Sequence, residues 1–141
     1  MSFLCNKILS AWLPPGVWAA GIFFLSNTPD LSSGLEYDFA LRKVAHVSEY
    51  LILTLLVGRA LRMTSRLGPR QLPGLTAVLS FLYAVSDEFH QLFVPGRQGS
   101  PVDVGIDSIG VALAVFWLLQ KGRVFPAESK IPVRNGEENK D

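Results

Sequence analysis

YAVSDEFHQLFVPGRQGSPVDVGIDSIG, residues 83–110, decides how this chain must fold. An apolar run ends in Asp87, Glu88, His90 and Gln91, a Pro95-Gly96-Arg97 turn follows, and a second apolar run opens with Asp103 and Asp107. Ionisable groups at membrane depth are costly, so they face a protein interior or a wet cavity and mark a working site. The pattern predicts two membrane helices joined by a tight turn, with their acids gathered at the joined ends.

Outward from this stretch, two further apolar segments precede it. The expected spans are 8–25, 43–61, 72–93 and 102–119, each near the ~20 residues that cross a ~30 Å hydrocarbon core. Only the first is unambiguous by hydropathy; the others qualify once their polar ends are accepted at membrane depth. A soluble helical bundle with a buried polar site is the competing architecture. The first segment carries Pro14-Pro15, a pair that membrane helices tolerate where neighbours compensate. It is longer than a signal-peptide core and no small-x-small cleavage pattern closes it, so a retained helix is expected. Trp12, Trp18 and Trp117 read as interface anchors or lipid-facing bulk.

Composition agrees. Charged residues make up 18% of the 141 positions and mean hydropathy is +0.30, against roughly 25% charged in soluble domains. The net charge of +1 carries no nucleic-acid footprint. Cys5 is the single cysteine, which excludes a disulfide framework and a thiol metal centre. After Lys121 the sequence turns polar. The expected division is a membrane domain over 1–121 and a disordered tail over 122–141.

Cytoplasmic loops are enriched in Lys and Arg. The link between the second and third segments holds Arg59, Arg62, Arg66 and Arg70 without an acid, and the tail begins with Lys121 and Arg123. The link after the first segment holds Asp30, Glu36 and Asp38. The expected fold is therefore an all-α bundle of four transmembrane helices with both termini cytoplasmic. Lys43, His46, Glu49 and Tyr50 then fall at the outer face with Asp87, Glu88, Gln91, Asp103 and Asp107, all within roughly 10 Å of one interface at ~1.5 Å rise per residue.

The spacings place these groups on faces. Lys43, His46 and Tyr50 share one helical stripe, and Asp103, Asp107 and Gly110 share another. Gly110 leaves room for a neighbouring helix. Asp87 and Gln91 share a face, with Glu88 about 100° away; His90 points off toward the interface. Glu49, Asp87, Glu88, Asp103 and Asp107 set five formal negative charges against Lys43 and Arg97. In a low-dielectric site such a surplus must protonate, pair, or meet a cation.

With these residues in view, the chain resembles the VanZ family, named for a protein associated with teicoplanin resistance. The matching features are Ser26 with Pro29, Lys43-x-x-His46-x-x-x-Tyr50, Asp87-Glu88-x-x-Gln91, Pro95-Gly96-Arg97, Ser100, Asp103, Asp107 and Gly110. They span roughly residues 8–119, and Arg42 departs from the acid that many relatives carry before the lysine. The resemblance implies a small multi-pass protein of the bacterial cytoplasmic (inner) membrane and no established reaction.

Three functions compete. The first is an envelope protein whose ligand-binding set (Lys43, His46, Tyr50, Asp87, Glu88, Gln91, Arg97, Asp103, Asp107) recognises a lipid-linked cell-wall precursor or a glycopeptide such as teicoplanin. There Arg97 would meet an anionic group by bidentate contact, or else pair with Asp103 or Asp107. The second is an intramembrane metal-dependent hydrolase acting on a lipid phosphate or amide. Its candidate divalent-cation ligands are His46, Glu88, Asp103 and Asp107, and its catalytic candidates Glu88, Asp87 and His46. The third is a small proton-coupled transporter, disfavoured because no polar path continues through the inner half.

Overall fold

The computed structural model describes residues 2–28, 38–97 and 99–124. Their only regular secondary structure is four helices joined by turns and short irregular links: α1 (Ser2–Ser26), α2 (Asp38–Thr64), α3 (Gln71–Gln91) and α4 (Pro101–Val124). All four expected segments are helices, and α1, α2 and α4 extend beyond both expected bounds. The Pro29 of the family-like pair and the acidic Asp30 and Glu36 lie outside the described residues, as does the expected tail from residue 125 onward.

α2 is the central helix and touches the other three, while α1 and α4 make no contact with each other among the described residues. Successive helices run antiparallel, which makes α2 and α4 parallel neighbours. Their pairing shows it directly. Lys43 meets Asp103 and His46 meets Asp107, while Gly58 lies against Leu118, so α2 pairs with α4 at a nearly constant sequence offset. The close approach has one cause. A Cβ on Gly110 would strike the Val47 carbonyl oxygen and the Leu51 amide nitrogen of α2, so the missing side chain lets backbone meet backbone. The neighbour that the sequence left unnamed is α2.

The surface is apolar. Phe24, Val17, Val44, Phe89, Phe93, Val102 and Phe116 are among many large apolar side chains left exposed. Three helices are long and apolar enough to cross a membrane: α1, α2 and α4. α2 and α4 thus pass without allowance for their polar ends, contrary to the narrower expectation. α3 does not pass, and its structure gives the reason. Its buried face carries Thr76, Ser80, Asp87, Glu88 and Gln91, whereas Leu75, Val78, Leu82, Val85 and Phe89 point outward. That is the reverse of a water-soluble amphipathic helix: polar groups turn to protein and apolar groups to lipid. Averaged hydropathy conceals this sidedness. The chain is a membrane protein of several apolar helices.

The buried core runs along Ile22, Tyr50, Leu53, Val57, Leu61, Leu72, Ala84 and Val111. Trp18 packs against it and donates its indole N–H to the Glu49 carbonyl at 2.9 Å. It therefore ties α1 to α2 and is not the lipid-facing bulk its composition suggested. Trp117, 47% exposed with Lys121 over its ring, keeps the anchor-like position.

Candidate functional site

The site lies where the α1 and α3 C-termini meet the α2 and α4 N-termini. Its local geometry begins in the α3–α4 connection. Val94-Pro95-Gly96-Arg97 is a turn closed by the Arg97 amide on the Val94 carbonyl at 3.1 Å, with Gly96 at φ 82°. Proline second and a positive-φ glycine third is the residue order a type II turn demands. The turn aims Arg97 back across α1, where its guanidinium donates to the Leu25 carbonyl (2.8 Å) and the Thr28 carbonyl (3.1 Å). The Leu25 carbonyl also accepts the Thr28 amide at 3.1 Å, so Arg97 adds a charged donor at the negative end of the α1 dipole. The expected alternatives, an Asp103 or Asp107 partner, are not what its hydrogen bonds reach; its partners are backbone oxygens that sequence cannot display.

Ser100 then starts α4. Its hydroxyl accepts the Val102 amide at 3.1 Å, with Pro101 in the first helical position, as helix starts favour. The Ser100 amide donates to Glu88 Oε2 at 2.9 Å, so the residue that begins α4 also orients an acid of α3. Gly99 permits this. A Cβ there would meet the Glu88 carbonyl oxygen.

Asp87 is an acceptor hub. Its Oδ2 receives Ser26 Oγ at 2.8 Å, Tyr50 Oη at 3.1 Å and Gln91 Nε2 at 3.2 Å. Gln91 also donates to Ser26 Oγ at 3.3 Å. One carboxylate oxygen therefore joins α1, α2 and α3. Ser26 entered the sequence reading only through the family pattern; its apolar surroundings gave no separate sign that it points inward.

Beside this hub stand two rungs between α2 and α4. Lys43 and Asp103 form an ion pair at the partly exposed edge. Deeper, His46 Nδ1 and Asp107 Oδ1 are 3.0 Å apart, with Asp107 fully buried. Glu88 approaches the second rung, so that donor atoms of His46, Glu88 and Asp107 all lie within 4.8 Å of one another. Asp103 is the fourth expected ligand, and it stands apart with Lys43. Asp87 Oδ1, Glu88 Oε1 and Asp107 Oδ2 are buried and have no hydrogen-bond partner among the described residues. His90 stacks on Phe23, with ring centres 4.5 Å apart, away from these groups.

Two cavities open above. One of about 490 Å³ is bordered by Arg42, Lys43, His46, Gln91, Arg97, Ser100 and Asp103. A smaller one of about 280 Å³ shares Arg42, His46 and Arg97 and adds Glu49. A third, of about 360 Å³, is an apolar groove between α3 and α4 lined by Val85, Phe89, Leu92, Pro101 and Val104, with Glu88 and Ser100 at its edge. The groove meets the polar cavity at Ser100.

These features define a class: a small helical membrane protein with a buried, charge-rich site at one end of its bundle. The family model described as VanZ/LLP1 matches residues 8–121. The chain belongs to that family, and the match covers every residue of the site. Comparison with curated proteins and with solved structures returned no match.

Proposed function

We propose that this chain is a multi-pass protein of the bacterial cytoplasmic membrane whose polar cavity faces outward and binds the charged headgroup of a lipid-linked wall precursor, affecting glycopeptide susceptibility in consequence. The observation that carries this reading is the junction at Ser100. A polar cavity rimmed by Arg42, Lys43 and Arg97 adjoins an apolar groove on the lipid-facing side of α3 and α4. Headgroup and acyl chain of one amphiphile need both surfaces. An anionic headgroup suits the cationic rim through charge-assisted hydrogen bonds.

Orientation follows from charge. Arg59, Arg62, Arg66 and Arg70 are exposed at the end of the bundle opposite the site, and the positive-inside rule assigns that end to the cytoplasm. Both termini then lie inside. A reporter active only in the cytoplasm and fused after Asp141 will be active, whereas one inserted after Gly96 will be silent. The opposite pattern overturns the orientation.

Binding is tested on purified protein with a lipid phosphate in mixed micelles. Lys43→Ala and Arg42→Ala are each expected to weaken binding about tenfold, the loss of a hydrogen bond to a charged group worth ~1.5 kcal/mol. In cells carrying the chain, the same variants should return the inhibitory concentration of teicoplanin to that of cells without it. Unchanged affinity and unchanged susceptibility in both variants, at normal insertion, remove the reading.

A further inference from the structure

We propose that His46, Glu88 and Asp107 form a divalent-cation site beneath the polar cavity. The three residues come from α2, α3 and α4, and one donor atom of each lies within 4.8 Å of the others. Ligand atoms around an ion bound at about 2.1 Å stand roughly 3 to 4 Å apart. The 3.0 Å separation of His46 Nδ1 and Asp107 Oδ1 already equals that spacing, and a Glu88 oxygen lies within 4.8 Å of a donor atom on each.

Burial supplies an independent reason. Glu88 is 4% exposed and Asp107 is 0% exposed, and each has a carboxylate oxygen, Oε1 and Oδ2 respectively, that no donor among the described residues satisfies. A buried carboxylate oxygen without a partner carries a desolvation cost. The neighbouring acids have fuller local solutions: Asp87, whose Oδ1 is likewise without a partner among the described residues, accepts three side-chain donors at Oδ2, and Asp103 pairs with Lys43. Among the described residues, Glu88 has only the Ser100 amide and Asp107 only His46 as hydrogen-bond partner. Two carboxylates with a neutral imidazole carry a charge of −2, which one divalent ion neutralises. The Ser100 amide, fixed by the start of α4, holds Glu88 Oε2 and leaves Oε1 for the ion, the orienting role that groups behind a metal ligand perform.

Two carboxylates and one imidazole favour a hard to borderline ion, with Mn²⁺ the best chemical match and Mg²⁺ and Zn²⁺ its competitors. The site deepens the cavity reading by placing a positive charge below its cationic rim, toward which a phosphoryl oxygen could be drawn and polarised. It rests on the same pocket, but its test does not use lipid binding.

Full-length protein purified in detergent, stripped with EDTA, equilibrated with MnCl₂ and desalted, is assayed by elemental analysis and by Mn²⁺ electron paramagnetic resonance. We expect one Mn²⁺ per chain and an immobilised-ion spectrum. Glu88→Gln and Asp107→Asn should each lose at least about tenfold in affinity, while Asp103→Asn retains the ion. The unfolding temperature of the wild-type chain should rise with Mn²⁺ and return with EDTA, a readout that holds if a variant fails to fold. Absence of stoichiometric Mn²⁺, Mg²⁺ and Zn²⁺ from the wild-type protein overturns the site, as does full retention of the ion by folded Glu88→Gln and Asp107→Asn. A chain that binds Mn²⁺ but shows no Lys43-dependent lipid affinity keeps the metal site and loses the headgroup reading; the converse result does the reverse.

Discussion

Gly110→Val will destabilise the bundle by about 3 kcal/mol, the upper end of what overpacking costs, and will separate α2 from α4. The clash is with the Val47 carbonyl oxygen and the Leu51 amide nitrogen, and backbone atoms in a helix cannot rotate away as a side chain does. Because His46 adjoins Val47 and Asp107 sits about one turn before Gly110, the second rung should open with it. Gly105 supplies the contrast on the same helix. Nothing lies within 4 Å of a Cβ built there, so Gly105→Ala should be neutral or slightly stabilising. Titration with SDS in micelles, followed by circular dichroism, separates the two. Equal midpoints for Gly110→Val and the wild type would show that α2 and α4 do not depend on the close approach.

Asp87→Ala should be comparably damaging, at about 3 kcal/mol, for a different reason. It removes the acceptor that Ser26 and Tyr50 donate to, and leaves Gln91 with only its longer bond to Ser26 Oγ. A buried donor left without a partner costs about 1–3 kcal/mol, and Tyr50 is 0% exposed, so its hydroxyl cannot turn to solvent. Tyr50→Phe removes a donor and strands nothing, since Asp87 keeps two others. It should cost about 0.6 kcal/mol, the average for a hydrogen bond inside a membrane protein. The same titration measures both. Asp87→Ala no more harmful than Tyr50→Phe would mean that the hub does not hold α1 to α3.

How far the sequence revealed this arrangement depends on where each signal resides. The stripes Lys43-His46-Tyr50 and Asp103-Asp107-Gly110 follow from helical period alone; Lys43 and His46 do meet Asp103 and Asp107, whereas Tyr50 turns to Asp87 and Gly110 packs on Val47 and Leu51. That they pair in parallel register could not be read, because register is set by Gly110 and Gly58 fitting particular atoms of partner helices. Arg97 was legible as a cation at a turn, but its backbone partners in α1 were not. Thr54 and Thr76 are fully buried yet gave no sign of it. Each hydroxyl donates to the carbonyl four residues earlier, at 2.6 and 2.7 Å, so burial needs no partner elsewhere in the sequence. Trp18 looked like any membrane-edge tryptophan, since an indole on an apolar segment has the same composition whether it meets lipid or the Glu49 carbonyl.

The inverted α3 bears on how the protein is made. Asp87 finds its partners on α1 and α2, which leave the ribosome earlier, but the Glu88 partner Ser100 borders the last helix. A nascent chain stopped before residue 100 lacks that amide, and one stopped within α4 lacks part of the helix that packs on α3, so either would present Glu88 to acyl chains at a cost the bilayer resists. Release of α3 into lipid has to wait for α4, so the last two helices should leave the insertion machinery as a pair. Nonsense mutations within α4 should accordingly yield degradation products and no partly working protein.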